Sequence, residues 1–123
     1  MSTIVISNIK ATGETASRAV SGVAAAWVNF NARNTATIRD SLNVASLTDD
    51  GTGLHSVNFT NDMNNDDYSV TNSVNGFGVV SGAMTEINSY NISSFAVRGM
   101  NPQSSYANTD FETQSCATHG DLA

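Results

Sequence analysis

The strongest pattern along the chain is a two-residue alternation of apolar and polar positions, the period of a half-buried β-strand. It starts at Thr3 to Ile9, with Ile4 and Ile6 on one side and Thr3, Val5 and Ser7 on the other. Ala26, Val28 and Phe30 then alternate with Trp27, Asn29 and Asn31. Thr35 to Asp40 sets Ala36 and Ile38 against Thr37 and Arg39, and Leu42 to Thr48 continues through Leu42 and Val44. The cluster Asp49-Asp50-Gly51-Thr52-Gly53 predicts a hairpin turn, because Asp-Gly supplies the positive φ a tight turn needs. His55 to Thr60 forms its second strand through Val57 and Phe59. Tyr68 and Val70 open another alternation, and Phe77 to Val80, Ile87 to Val97 and Tyr106 to Phe111 predict further strands.

One stretch breaks the period. Ala16, Val20, Val23 and Ala24 fall at helical spacing, with Thr15 placed as an N-cap, while Gly22 costs a helix about 1 kcal/mol. A short helix and an irregular connector fit Thr15 to Ala26 equally. Short strands at a spacing of ~8–12 residues predict an all-β fold, a small antiparallel β-sandwich or jelly-roll-like domain. Residues 26–123 read as the β domain, preceded by residues 1–25.

Composition agrees. The chain has 15 Asn, 16 Ser and 13 Thr, side chains that compete with the helix backbone for hydrogen bonds. Leu, Ile, Val and Phe make up about a fifth of it, close to the composition of disordered chains. They are clustered in the alternating segments, so the expectation is a folded protein with a thin core.

Charge and length exclude several functions. Five Lys plus Arg stand against eleven Asp plus Glu, a net charge of −6 that repels phosphate backbones and argues against nucleic-acid binding. No segment approaches the ~18 apolar residues of a membrane span, and Met1 to Ile6 lacks the basic flank of a secretory signal. Membrane insertion is therefore not expected, and synthesis in a cytoplasm is. Cys116 stands alone, which excludes a disulfide framework.

Candidate chemistry is sparse. His55 beside the hairpin turn and His119 near the C-terminus read as surface or rim histidines. Cys116 and His119, three apart, fall in a tail-like segment without the turn a nucleophile needs. Asn61, Asp62, Asn64, Asn65, Asp66 and Asp67, around Met63, present oxygens of the kind Ca²⁺ takes. The EF-hand pattern fails there for want of its Gly and terminal Glu, so the run reads as a solvated surface loop. Gly76-Phe77-Gly78 lacks the Lys of a phosphate loop and reads as a bulge. No catalytic residue, metal or cofactor is expected. Trp27, opposite Val28 and Phe30, calls for a cover: the connector before it, a partner chain or a ligand.

The run Ala26-Trp27-Val28-Asn29-Phe30-Asn31, then Thr35 to Gly53, then Val57-Asn58-Phe59-Thr60 and Asp67-Tyr68, resembles one module. It is the β domain of tail-fibre and other minor virion proteins of bacteriophages, notably those infecting cyanobacteria and other marine bacteria. Ser93 to Arg98 resembles its penultimate strand, and Met1-Ser2-Thr3-Ile4 the start of such proteins. The likeness is close over Trp27 to Val70 and weak elsewhere. Two segments depart: Ala32-Arg33-Asn34 replaces a glycine-rich turn, and Phe111 to Cys116 replaces a valine-rich closing strand. Residues 111–123 are thus open between a strand and a tail.

The resemblance implies a non-enzymatic virion structural protein, fibre- or adhesin-like, acting as a homotrimer, with residues 1–25 as an N-terminal docking or assembly arm and residues 26–123 as the projecting β domain. Its partners would be other virion proteins of the capsid or tail and a host surface glycan or protein. Ile4, Ile6, Ile9 and Trp27 are the candidate docking residues, and Asn61 to Asp67 the candidate surface-binding loop. A capsid decoration or cement protein is the alternative. A carbohydrate-binding module with Trp27 and Tyr68 as stacking platforms is the outside alternative.

Overall fold

The computed structural model describes residues 1–9, 12, 18–19, 23–75 and 82–123. Two antiparallel sheets pack face to face as a β-sandwich. One sheet contains β3 (Ala24–Asn31), β4 (Thr37–Leu42), β7 (Ser69–Asn75) and β11 (Thr113–His119), in the order β4-β3-β11-β7. The other contains β5 (Val44–Gly51), β6 (Leu54–Phe59), β8 (Met84–Asn91) and β9 (Ser94–Asn101). There β5 pairs β6, β6 pairs β9, and β9 also pairs β8 and the two-residue β10 (Ala107–Asn108). A separate two-stranded ladder joins β1 (Asn8–Ile9) to β2 (Arg18–Ala19).

The alternation read from the sequence sets the layers. Ala26, Val28 and Phe30 of β3 face Val57 and Phe59 of β6 and Phe95 and Val97 of β9 across the interior, with Cys116, Met63 and Tyr68. The odd-numbered neighbours on β3 face out. The expected hairpin forms, with Leu47 opposite Val57, but Asp49, Asp50 and Gly51 extend β5 and the turn itself is Thr52-Gly53. Gly53 is fixed by its φ of +71° and by crowding, since a Cβ there would lie 2.5 Å from the Thr109 backbone nitrogen.

Several expectations need correction. The first strand is confined to Asn8–Ile9, and residues 1–6 form none. The helical reading fails where it is described, since Arg18–Ala19 and Ala24 to Ala26 are strand; residues 15–17 and 20–22 lie outside the described residues. β3 thus begins two residues before the expected start of the β domain. Leu42 and Val44 belong to different strands: Asn43, at φ +55°, turns the chain from one sheet to the other. Asn tolerates that left-handed conformation better than most residues. Ile87 to Val97 is a hairpin of β8 and β9, and Tyr106 to Phe111 contributes only β10. The strand expected at Phe77 to Val80 and the bulge at Gly76-Phe77-Gly78 lie outside the described residues.

The C-terminal segment is a strand, and a central one. β11 sits between β3 and β7, pairing Cys116 with Val28 on one side and with Asn72 on the other. Ala24, His119 and Ser69 mark one end of this sheet. The same end holds the loop before β7, because Met63 bridges Leu122 and its N–H donates to the Ile92 carbonyl at 2.8 Å. The opposite end carries the turns at residues 32–36, 52–53 and 102–106.

Candidate docking surface

The two outer faces of the sandwich differ in chemistry. On the sheet of β5, β6, β8 and β9, polar side chains pair among themselves. Arg98 donates to Glu86 at 3.0 Å and to Asn108 at 2.7 Å, Ser56 donates to Asp50 at 2.6 Å, and Asn58 donates to Ser46 and Thr48. On the sheet of β3, β4, β7 and β11, an apolar strip is open to solvent.

Register builds that strip. With Val28 and Phe30 committed to the interior, the pleat turns Trp27 outward, where 36% of it is exposed. Leu42, 49% exposed, is its cross-strand partner on β4, and Ala117 its partner on β11. The small Ala117 and Thr71 leave a shallow groove of about 310 Å³ between Trp27 and β7, closed at one end by Ser115 and Ser73. Asn29 donates to Ser115 at 2.7 Å and fixes that end. Every residue lining the groove is uncharged. A second depression of about 460 Å³, lined by Ala24, Ala25, Leu42, Thr60 and Leu122, continues the apolar surface to the start of β3.

The candidate residues fall in two places. Ile4 and Ile6 are 84% and 50% exposed, and Ile9 lies in β1 with its side chain outside the described residues. Asn61, Asp62, Asn64, Asn65, Asp66 and Asp67 are all exposed, as a solvated loop requires. Its backbone is nevertheless held: Asn64 N–H donates to the Asp121 carbonyl at 2.8 Å, and Asn61 N–H donates to the Asn43 side chain at 2.8 Å. Met63 anchors the loop from below, 1% exposed. The loop stands at the same end as the start of β3, beside the second depression. Among the described residues no three His, Cys, Asp or Glu side chains gather as a metal-binding group.

Three side chains lie elsewhere than expected. Tyr68 is buried, its ring edge-on to Phe59 and Tyr90 and its hydroxyl donating to the Asn91 and Ser94 carbonyls, so it offers no stacking platform. His55 is fully buried against Phe30, with ring centroids 5.6 Å apart. Cys116 points into the core and His119 to the other face of β11, so they form no nucleophile–base pair. Burial pushes the Cys116 thiol up to about 12, the opposite of an activated nucleophile. Sequence reasoning missed Leu42, Leu122, Thr71 and Ala117. Leu42 was legible only through the turn at Asn43, and the others carry no distinguishing pattern.

Such a surface can bury apolar area against a partner. Comparison with protein-family models, curated proteins and solved structures gives no match.

Proposed function

We propose that the chain is a non-enzymatic bacteriophage virion structural protein, held in its particle by the N-terminal arm and the Trp27 face. The observation that carries this reading is the asymmetry of the sandwich. One outer face carries the paired Arg98, Glu86, Ser56, Asp50 and Asn58 side chains with Met84 exposed beside them, whereas the other exposes Trp27, Leu42 and Leu122 where β3 receives the chain from the arm. Exposed apolar strips of this kind mark interaction surfaces. The exposed Ile4 and Ile6 are a second apolar element on the same part of the chain. The resemblance of Trp27 to Val70 to phage fibre and minor virion proteins supplies the kind of particle.

In this reading the attached end is the one with the start of β3, the Asn61–Asp67 loop and Leu122. The turns at residues 32–36, 52–53 and 102–106 project and meet any host glycan or protein. The loop's place at the attached end favours a second reading, a head decoration or cement protein lying on the capsid through that end.

Removing residues 1–22, which leaves all of β3, tests the arm. The truncated domain is expected to keep its β circular-dichroism spectrum and to be missing from purified particles. Particles carrying it at the full-length level would overturn the arm's role. Electron microscopy of the particles separates head from tail.

A further inference from the structure

The edge strands of the sandwich differ in how they guard their free backbone. An edge presents unpaired N–H and C=O groups, and native sheets protect such edges with charges, prolines or bulges. Among the described residues the edges are β4 and β7 of one sheet and, with the short β10, β5 and β8 of the other. β4 carries Arg39, Asp40 and a bulge, β5 carries Asp49, Asp50 and two bulges, and β8 carries Glu86 and a bulge. β7 has none of these. Ser69 to Val74 is uncharged, free of proline and glycine, and in unbroken register with β11.

The chain also holds an unused segment of strand character. Residues 3–7 are uncharged and alternate, yet residues 1–6 form no strand and expose Ile4, Val5 and Ile6, Val5 to 93%. We infer that Thr3 to Ser7 of one copy adds as a strand along β7 of a second copy. Five extended residues span about 17 Å and the six of Ser69 to Val74 about 20 Å, so the lengths match.

Alternation then assigns the side chains. With Ile4 and Ile6 on the outer face they lie beside Thr71 and Ser73 and close the open side of the groove that Trp27 walls. Val5 faces the inner side opposite Asn72, which accepts from the Thr85 hydroxyl, with Val70 and Val74 to either side. One contact thus pairs this edge, closes the groove beside Trp27 and removes the arm's apolar residues from water. It is heterologous, arm to edge, so it closes as a reciprocal pair or a ring, or runs on as an open filament where the rotation does not close. The inference rests on the reading of the arm as a docking element and names what the arm docks to.

Light scattering on purified full-length chain, with two complementary variants, tests it. Val5→Pro removes a ladder donor from the exposed arm, and Thr71→Lys with Ser73→Lys sets two charges where Ile4 and Ile6 pack. All three positions are exposed, so both variants are expected to stay folded and to keep the wild-type β circular-dichroism spectrum. The wild-type chain is expected to be oligomeric, and each variant to weaken association by roughly tenfold or more. Mixed together, the variants are expected to form a one-to-one pair, since one retains the edge and the other the arm. A monomeric wild-type chain at its highest soluble concentration overturns the inference. So does a Val5→Pro chain of unchanged mass, or a mixture that does not associate; pairing of β7 with β7 would give that pattern. None of these outcomes decides particle incorporation, so the virion reading stands or falls separately.

Discussion

Burial raises the Cys116 thiol to about 12 and the Tyr68 phenol to about 12, against ordinary values of 9.0 and 10.0. Desolvation of the charged form is the leading cause at both. Folded and unfolded chains both keep these protons below about pH 9, so the contribution to stability is complete there. As pH rises toward 12 the unfolded chain loses its protons first, and stability falls. The limiting slope for the Cys116 proton is about 1.4 kcal/mol per pH unit. Urea midpoints between pH 7 and 11 check this, and in Cys116→Ala the decline is expected to begin about one pH unit later. A second residue-level prediction concerns Gln114, fully buried with neither its amide nitrogen nor its oxygen hydrogen-bonded to the described residues. An unpaired buried amide costs about 1–3 kcal/mol. Gln114→Met keeps the volume and removes that cost, so calorimetry is expected to show a melting temperature raised by several degrees. Gln114 has no apolar signature in the sequence, and His55 reads there as a turn-side histidine, whereas β6 turns it inward beside Phe30.

The strands legible in the sequence were those whose core positions alternate with small polar residues, as in Ala26 to Asn31 and His55 to Thr60. The boundaries it hid are single-residue events. Asn43 reverses the chain by adopting a left-handed conformation, and Ile92-Ser93 makes a hairpin of what reads as one long strand. Trp27 was legible as an outward residue because the pleat leaves no other choice, whereas its neighbours Leu42, Thr71 and Ala117 depend on pairings across three strands. β11 was left open between a strand and a tail, since its inward residues Gln114, Cys116 and Thr118 are not a hydrophobic pattern. Its place between β3 and β7 makes it indispensable. A chain ending at Glu112 is expected to lose cooperative unfolding and its β circular-dichroism signal, the reverse of removing residues 1–22. The Thr52-Gly53 turn is equally constrained: Gly53→Ala places a methyl on the Thr109 backbone at a positive φ. It is expected to destabilise by about 1–3 kcal/mol in urea titration.

At the scale of the molecule, the low apolar content first suggests a chain near the limit of folding. The sandwich shows where the apolar residues went: Phe30, Phe59, Phe95 and Phe111 fill the interior, and Trp27, Leu42, Leu122, Ile4 and Ile6 are left outside. In the virion reading proposed for the chain, a neighbour covers these residues. A reconstruction of the particles that carry this chain, at side-chain resolution, measures that directly. A virion assembly role predicts density for the sandwich with Trp27 and Leu42 buried against neighbouring protein and the turns at residues 32–36, 52–53 and 102–106 facing solvent. Density with the Trp27 face open to solvent, or particles without the chain, would contradict it.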